Sequence, residues 1–293
     1  MRSNLRYPPL APTLILVALI VLAALAQWIA PHDPQHQELM ARLTPPVWEG
    51  GTWNYPLGTD ALGRDVLSNI IYGLQVSLLA GFFAVAISVV IGATVGLVAG
   101  YRGGWFDTIA MRAADIQLSM PTVLIALAVL AIFGRGLWKV IIVIGLVGWA
   151  QYARLVRSSV LAEREKEYVA AATVIGASPF RILFRHILPN VMGPTLVQIS
   201  VDIPRAVELE ATLSFLGLGV AVTTPSLGLR IAQGYQYLFS GAWWTSVLPG
   251  LTLVVLVLCE NLIGDWLRDM LDPRYRIGKK VKQTATETAA TTS

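Results

Sequence analysis

Charged side chains are scarce in this sequence. Asp, Glu, Lys and Arg make up 14% of its 293 residues, whereas soluble domains carry about 25%. Apolar residues make up 55% of the chain, and its mean hydropathy is +0.62. This composition excludes a soluble globular enzyme and a disordered protein, because both expose far more charge to water. Helices that face lipid cannot carry charge, so the composition predicts a polytopic membrane protein.

Residues that bind metals or form covalent intermediates are also few. The single cysteine, Cys259, permits no internal disulfide and excludes a disulfide-rich secreted domain. The three histidines, His32, His36 and His186, are too scattered for a metal-binding pattern. The chain contains no G-x-x-x-x-G-K-[ST] phosphate-binding loop, no H-E-x-x-H pattern and no favoured pairing of Ser or Cys with His. The sequence therefore predicts no catalytic residue, no metal site and no cofactor in this chain.

Long apolar runs, by contrast, are abundant. A membrane-spanning helix needs roughly 20 apolar residues, and several stretches meet or approach that length. The predicted spans are residues 14–29, 76–99, 116–134, 140–153, 191–219 and 247–266. Six spans place both termini on one side of the membrane, and most of the 22 Lys and Arg residues fall in segments on that side. The positive-inside rule then predicts that both termini are cytoplasmic.

The first apolar run admits a second interpretation. Arg2 and Arg6 precede it, and Ala24-Leu25-Ala26 lies near its end, as in a signal peptide with an A-x-A cleavage site. Cleavage would leave an odd number of spans, and the later runs predict a membrane protein in either case. We therefore interpret this run as the first span.

The predicted spans divide the chain into five regions. They are a cytoplasmic N-terminal segment (1–13), the first span (14–30), an extracytoplasmic loop (31–72), a helical core (73–268) and a cytoplasmic tail (269–293). Within the core, residues 154–189 form a cytoplasmic connection between the fourth and fifth spans. The end of the tail is rich in Thr and Ala without apolar periodicity, which predicts disorder.

The cytoplasmic connection is long for a link between membrane helices. Ala170-Ala171-Ala172 favours a helix, which Gly176 would end. Ser178-Pro179 is a good start for a second helix, in which Arg181 and Arg185 flank three apolar residues. The pattern predicts a helix–turn–helix below the bilayer. Two interpretations fit it equally well: an amphipathic segment that rests on lipid head groups, or a surface on which a cytoplasmic partner docks.

This connection resembles the EAA loop of ABC importer permeases. That loop reads E-A-A, three residues, Gly, nine residues, Ile, one residue and Leu-Pro; Ala170-Ala171-Ala172, Gly176 and Leu188-Pro189 fit its spacing. Ala170 stands where the loop has Glu, and His186 stands where it has Ile. Residues 185–190 read Arg-His-Ile-Leu-Pro-Asn, and this ending is common in the oligopeptide/dipeptide/nickel branch of the family.

Five other segments resemble motifs of the same family and occur in the same order. They are residues 57–68, 100–105, 111–115, 211–219 and 264–273. The first of them is similar to the N-terminal signature of the second, C-type permease of the family's two permease types. Together the motifs cover nearly the whole chain, which is identified as resembling a C-type oligopeptide/dipeptide/nickel permease.

The resemblance implies an all-α, polytopic type I importer permease fold with six transmembrane helices, N-in and C-in, in a subunit that is not itself an enzyme. It implies a heterodimer with a homologous permease, two cytoplasmic ATPase subunits that bind ATP and Mg, and an extracytoplasmic solute-binding protein. The implied location is the lipid bilayer of a bacterial inner membrane, with no role for nucleic acid. Relatives carry dipeptides, oligopeptides, glutathione, nickel chelates and opines, so the resemblance implies peptides or similar small solutes.

In such importers a helix of the EAA loop inserts into a groove of the ATPase and transmits its closure to the membrane helices. The residues that the resemblance assigns to this coupling are Ala170, Ala171, Ala172, Gly176, Ser178, Phe180, Arg181, His186, Leu188 and Pro189. Gly176 would form the turn. Alternating access requires that the spans switch between two packing arrangements, and a rigid element must drive that switch.

Four charged residues interrupt the fifth apolar run: Asp202, Arg205, Glu208 and Glu210. The first three recur every three residues and share an arc of about 120° on a helix, so that neighbours can pair. Pro204 lies among them and can kink or break the helix. Ionisable residues at membrane depth usually face a cavity or the bundle interior, which makes these four residues candidates for the lining of a translocation path. A structural ion-pair cluster is the other interpretation.

A function of a different class would use the same charges. A self-contained secondary carrier or channel could couple ion movement to them. Carriers of this length commonly show more spans or inverted repeats, and the sequence shows neither. An ATPase that co-purifies with the chain would separate the importer from the carrier.

Overall fold

Helices form the regular secondary structure in the part of the chain that the computed structural model describes, residues 8–271. The α-helices are α1 (Leu10–Ala24), α2 (Ala26–Ile29), α3 (Val66–Arg102), α4 (Gly104–Leu118), α5 (Thr122–Phe133), α6 (Leu137–Arg164), α7 (Glu167–Val174), α8 (Pro179–Arg181), α9 (Leu188–Phe215), α10 (Leu227–Tyr235) and α11 (Trp244–Leu271). A π-helical turn, Ile182–Ile187, joins α8 to α9. Part of the predicted N-terminal segment (1–7) and most of the predicted cytoplasmic tail (272–293) lie outside the described residues.

Three of the described helices, α3, α6 and α11, are long and apolar enough to cross a membrane. Helices α4 and α5 meet the same criterion as a pair, but the chain bends by 93° between them. The bend coincides with Pro121, because proline lacks an N–H group and disfavours helical geometry in the residue before it. Residues 8–271 thus contain three or four apolar spans by length and composition, and the count of six and its orientation stay predictions.

Helix α6 continues beyond residue 153, where the predicted fourth span ends. Val156 and Val160 extend the buried stripe of this helix and are 1% and 0% exposed. Their spacing of four residues keeps both on one face of the helix, so that burial holds the added turns against the bundle. The first part of the segment assigned to the connection 154–189 therefore belongs to α6.

Helices α3 and α6 pack closely through glycine. A Cβ atom added to Gly92 would lie 2.5 Å from the Cβ of Tyr152, and one added to Gly96 would lie 2.5 Å from the carbonyl oxygen of Ala153. Both distances are too short for any real side chain. Small residues allow membrane helices to approach in this way, and van der Waals packing then stabilises the pair.

Gly96→Ala is expected to push α3 away from α6 and to lower the free energy of unfolding. The added methyl group would overlap the Ala153 backbone, and such overpacking costs about 1–3 kcal/mol. Thermal unfolding of the detergent-solubilised protein should shift to lower temperature. Gly193→Ala in α9 is the matched control, because a Cβ atom there meets nothing within 4 Å. An equal shift for both variants would contradict the packing assignment.

The loop between α2 and α3 folds back onto the start of α11. The Asp65 carboxylate caps α3 by accepting hydrogen bonds from the backbone N–H (2.9 Å) and the hydroxyl (2.6 Å) of Ser68. The indole Nε1 of Trp244 donates to the carbonyl oxygen of Thr59 at 3.1 Å. Gly58 has φ +80°, and a Cβ atom there would lie 2.9 Å from that indole nitrogen. The N-terminal signature segment thus ties the start of α3 to the start of α11.

Helix α3 connects the two ends of the bundle. Its 37 residues span roughly 55 Å at 1.5 Å per residue. We call the loop between α2 and α3, which contains most of the signature residues 57–68, the signature loop, and it lies where α3 begins. Near the other end, Leu97 of α3 packs in one cluster with Val169 of α7 and Ile182 of the π-helical turn. We call residues 167–187, from α7 through α8 to the end of the π-helical turn, the α7–α8 segment. The signature loop and the α7–α8 segment therefore lie at opposite ends of the bundle.

Candidate functional site

Helix α7 ends in a glycine turn. Gly176 has φ +78°, a left-handed geometry that glycine adopts without steric cost. Its N–H donates to the Thr173 carbonyl, and the N–H of Ala177 donates to the Ala172 carbonyl, both at 3.0 Å. These two bonds form a Schellman motif, which satisfies carbonyl groups that the end of a helix leaves unpaired. The direction of the chain after α7 therefore depends on a residue at position 176 that tolerates a positive φ.

The second helix begins at the predicted capping residue. The hydroxyl of Ser178 accepts a hydrogen bond from the N–H of Arg181 at 3.3 Å, and Pro179 occupies the first turn. Proline suits this position because its missing N–H would have no partner there. The segment then passes through the π-helical turn into α9 without a break. Continuous helical backbone therefore joins α8 to α9.

The α7–α8 segment has one buried face and one open face. Ile182 and Ile187 are 1% and 0% exposed and pack beside Val160 of α6. On the open face, exposed apolar side chains gather around the turn: Val174, Ile175, Phe180 and Phe184. The rings of Phe180 and Phe184 lie 4.4 Å apart. We call these four residues the apolar turn patch.

Hydrogen bonds hold the α7–α8 segment to the neighbouring helices. The Tyr168 hydroxyl donates to Glu163 of α6 at 2.6 Å and accepts from the side-chain amide of Asn190 in α9 at 3.0 Å. The same amide donates to the His186 carbonyl at 2.8 Å. Burial and the bond to Glu163 raise the pKa of Tyr168 above its ordinary value, so the hydroxyl keeps the proton that it donates. One tyrosine therefore joins α6, α7 and α9.

A polar cavity of about 330 Å³ lies among α3, α4, α5, α6 and α9. Its charged and larger polar lining residues are Gln117, Gln151, Tyr152, Asp202, Arg205 and Glu208. The Arg205 guanidinium lies 3.3 Å from one oxygen of Asp202, and the amide of Gln198 donates to the other at 3.0 Å. The Glu208 side chain is exposed. The cavity thus offers both signs of charge.

The chain matches two families of known membrane proteins. Residues 92–277 match the family described as binding-protein-dependent transport system inner membrane component. Residues 13–46 match the N-terminal TM domain of oligopeptide transport permease C. The protein belongs to the family of binding-protein-dependent permeases. The family predicted from the EAA-like loop is therefore confirmed.

The permease is similar to curated bacterial relatives over most of its length. It is 44% identical to the di/tripeptide transport system permease protein DppC of Pseudomonas aeruginosa, over 90% of this chain and 87% of that protein. It is 42% identical to the dipeptide transport system permease protein DppC of Escherichia coli, over 89% and 87%. The predicted function, a permease of an ABC importer, is confirmed.

A solved structure supports the fold of the permease. A chain of the MetNI methionine ABC transporter, in an inward-facing conformation, has a TM-score of 0.55 and 20% sequence identity to it. The match covers 70% of the permease and 97% of that chain. At this identity the likeness shows the fold alone. It supports the helical ABC transporter permease fold that the sequence predicts.

Most of the predicted coupling residues are exposed in the structure. The exposed ones are Ala170, Ala171, Gly176, Ser178, Phe180, Arg181 and Pro189. His186 and Leu188 are partly buried. Ala172 is 4% exposed and packs inward against the bundle. It therefore supports the segment from within and offers no surface to a partner.

Glu210 lies apart from the other predicted path residues. Its carboxylate is fully buried and accepts hydrogen bonds from the hydroxyls of Ser214 (2.7 Å), Ser226 (2.8 Å) and Ser77 (3.1 Å). It does not line the polar cavity, whereas Asp202, Arg205 and Glu208 do. Glu210 instead joins α9 to α3 and to the segment before α10.

The sequence analysis did not single out three of the larger polar residues that line the cavity. Gln151 and Tyr152 are neighbouring polar residues in the otherwise apolar predicted fourth span. This contrast could have identified them as candidates for the cavity lining. Gln117 lies near the end of α4, and its side chain accepts from the Trp149 indole at 2.6 Å. Its place in the cavity depends on the bend between α4 and α5, which the predicted straight span did not include.

Proposed function

We propose that this permease forms, with a second homologous permease, the membrane path of a bacterial importer for dipeptides, tripeptides or similar small solutes. The similarity to the Pseudomonas aeruginosa relative, 44% identity over 90% of the chain, carries this proposal. The transported solute is delivered by an extracytoplasmic binding protein. ATP and Mg bind to two separate ATPase subunits, so the permease itself catalyses no reaction.

The proposed arrangement in the inner membrane has six spans with both termini in the cytoplasm. The distribution of Lys and Arg supports this orientation. It places the α7–α8 segment on the cytoplasmic side and the signature loop on the outer side. These two regions lie at opposite ends of α3, which is long enough to cross a bilayer.

The α7–α8 segment is the proposed coupling surface for an ATPase subunit. Its apolar turn patch is exposed around Gly176, and Arg181 adds a charged partner beside it. The continuous path from α8 through the π-helical turn into α9 supports a direct transfer of motion. Helix α9 carries the cavity residues, so closure of the ATPases would change the packing around the path.

The polar cavity is the proposed part of the path that this subunit contributes. Asp202 and Glu208 offer negative charge to the ammonium group of a peptide, and Arg205 offers positive charge. The second permease would complete the walls. Rocking of the helices would expose this cavity first to one side of the membrane and then to the other.

Uptake by the reconstituted importer tests the proposed function. Proteoliposomes that contain both permeases and both ATPases, with the binding protein outside and ATP inside, are expected to accumulate radiolabelled dialanine. Omission of the ATPases should abolish accumulation. Accumulation that continues without the ATPases and follows an ion gradient would instead support a self-contained carrier.

A further inference from the structure

A tyrosine of α7 lies where the ends of three helices meet. The Tyr168 hydroxyl donates a hydrogen bond to Oε2 of Glu163, one residue before the end of α6, at 2.6 Å. It accepts a hydrogen bond from Nδ2 of Asn190, in the first turn of α9, at 3.0 Å. Tyr168 and Asn190 are not among the predicted coupling or path residues, so the proposed coupling surface and path leave both bonds without a role.

The two helices that Tyr168 joins are walls of the polar cavity. Tyr152 of α6 and Asp202 of α9 both line that cavity. Glu163 lies eleven residues beyond Tyr152, and Asn190 lies twelve residues before Asp202. At 1.5 Å per residue, both bonds lie roughly 17 Å along the helix axes from the cavity. The Tyr168 hydroxyl therefore connects the two walls at about the same distance from the cavity, on the side of the α7–α8 segment.

Apolar packing around this junction defines the spacing of the two walls less sharply than the hydrogen bonds do. Val160 of α6, Val169 of α7 and Val191 of α9 are buried in one cluster. Apolar contact is non-directional and roughly proportional to the area removed from water, so it permits small shifts of one helix against another. Hydrogen bonds weaken steeply outside a narrow range of distance and angle. The two bonds of Tyr168 therefore specify the separation of α6 and α9 at this end.

Asn190 also ties this junction to the π-helical turn. Its Nδ2 atom donates to the carbonyl oxygen of His186 at 2.8 Å, within the turn that leads from α8 to α9. Turns of this kind occur frequently at functional sites. A hydroxyl has one proton to donate, which here goes to Glu163, whereas Asn190 supplies the bond that the oxygen accepts. Removal of this one oxygen atom therefore breaks the link to α6 and the link to α9 together.

We infer that Tyr168 is a positioning residue that sets the separation of α6 and α9 at the cytoplasmic end of the path when the ATPases act. The inference rests on the proposed function and adds the contact through which coupling reaches both walls. As an ATPase moves the α7–α8 segment, the hydroxyl carries α6 and α9 together, so that the two walls of the polar cavity shift as one unit. Without the hydroxyl, the chain itself still joins each wall to the segment, but the two walls can move apart.

Tyr168→Phe tests this role, because phenylalanine keeps the ring and loses only the hydroxyl. The measurement is dialanine uptake per ATP hydrolysed, in proteoliposomes that contain the complete importer and its binding protein. This ratio is expected to fall about threefold to tenfold, which is the range for loss of a hydrogen bond. The ATPases should still co-purify in normal amounts, because the apolar turn patch keeps its residues. Tyr235→Phe, at an exposed tyrosine of α10, is the matched control and should keep the normal ratio.

Two further variants separate positioning from packing. Tyr168→Leu removes the ring as well and should lower the ratio at least as far as Tyr168→Phe does. Asn190→Leu keeps the tyrosine and removes its partner in α9, so it should reproduce the lowered ratio. The double variant of Tyr168→Phe with Asn190→Leu should lower the ratio less than the two single effects multiplied together, because both changes remove the same bond.

A normal ratio in Tyr168→Phe would overturn the inference, and a low ratio in Tyr168→Leu beside it would show that the ring acts by packing alone. Fully independent effects of Tyr168→Phe and Asn190→Leu would overturn it as well. If Tyr168→Phe does not assemble with the ATPases, Asn190→Leu decides, and failure of both to assemble would show a role in folding only. Absence of uptake by the unaltered importer would instead contradict the proposed function, so the two can fail independently.

Discussion

Gly176→Val is expected to uncouple ATP hydrolysis from transport in the assembled importer. A β-branched side chain in the left-handed region costs about 1–2 kcal/mol, and the chain can relieve that strain by rotating α8 relative to α7. The apolar turn patch would then lose its arrangement around the turn. Stimulation of ATPase activity by the loaded binding protein is expected to fall at least about tenfold, which corresponds to 1.4 kcal/mol.

Gly241→Val is the matched control for this variant. Gly241 also has a positive φ, +96°, and a Cβ atom at either glycine meets nothing within 4 Å. The backbone strain is therefore similar, but Gly241 lies just before α11, at the opposite end of the bundle. This control should retain coupling. Normal coupling in Gly176→Val, with both variants assembled in equal amounts, would contradict the assignment of the α7–α8 segment.

Substitutions of two glutamates in α9 are expected to have different effects, one on transport and the other on assembly. Glu208→Leu should leave the importer assembled and reduce dialanine uptake about tenfold or more, because a charged contact in a cavity contributes about 1.5–3 kcal/mol. Glu210→Leu should prevent stable assembly, because three buried serine hydroxyls would lose their acceptor at about 1–3 kcal/mol for each unsatisfied group. Size-exclusion chromatography and uptake on the same preparations measure both effects.

Glu208→Gln separates charge from shape in this comparison. The amide keeps the size of the side chain and removes its negative charge, so uptake should fall as it does with leucine. Unchanged uptake in both Glu208 variants would exclude this residue from the path. A stable, fully assembled Glu210→Leu variant would contradict the structural role of the serine cluster.

The turn and the cap of the α7–α8 segment could be predicted because both depend on local chain geometry. Gly176 tolerates a positive φ that other residues resist, and the Ser178 hydroxyl reaches the N–H three residues ahead. The bend between α4 and α5 had a comparable signal in Pro121, although the predicted span ran straight through it. Local residue chemistry thus accounts for the ends and breaks of helices.

The contents of the polar cavity could not be predicted in the same way. Glu208 and Glu210 are about 200° apart on a helix, but the sequence does not reveal which side faces the cavity. Packing against Ser77 and Ser226, far away in sequence, decides this.

Co-purification tests most directly whether this permease works as a subunit of an ATP-driven importer. An affinity tag on this permease, in cells that express the whole importer, should recover the ATPase subunits together with the second permease in detergent. The ATPases should be recovered with the unaltered permease in amounts similar to those of the permease pair. Recovery of a transport-active permease without any ATPase would contradict it.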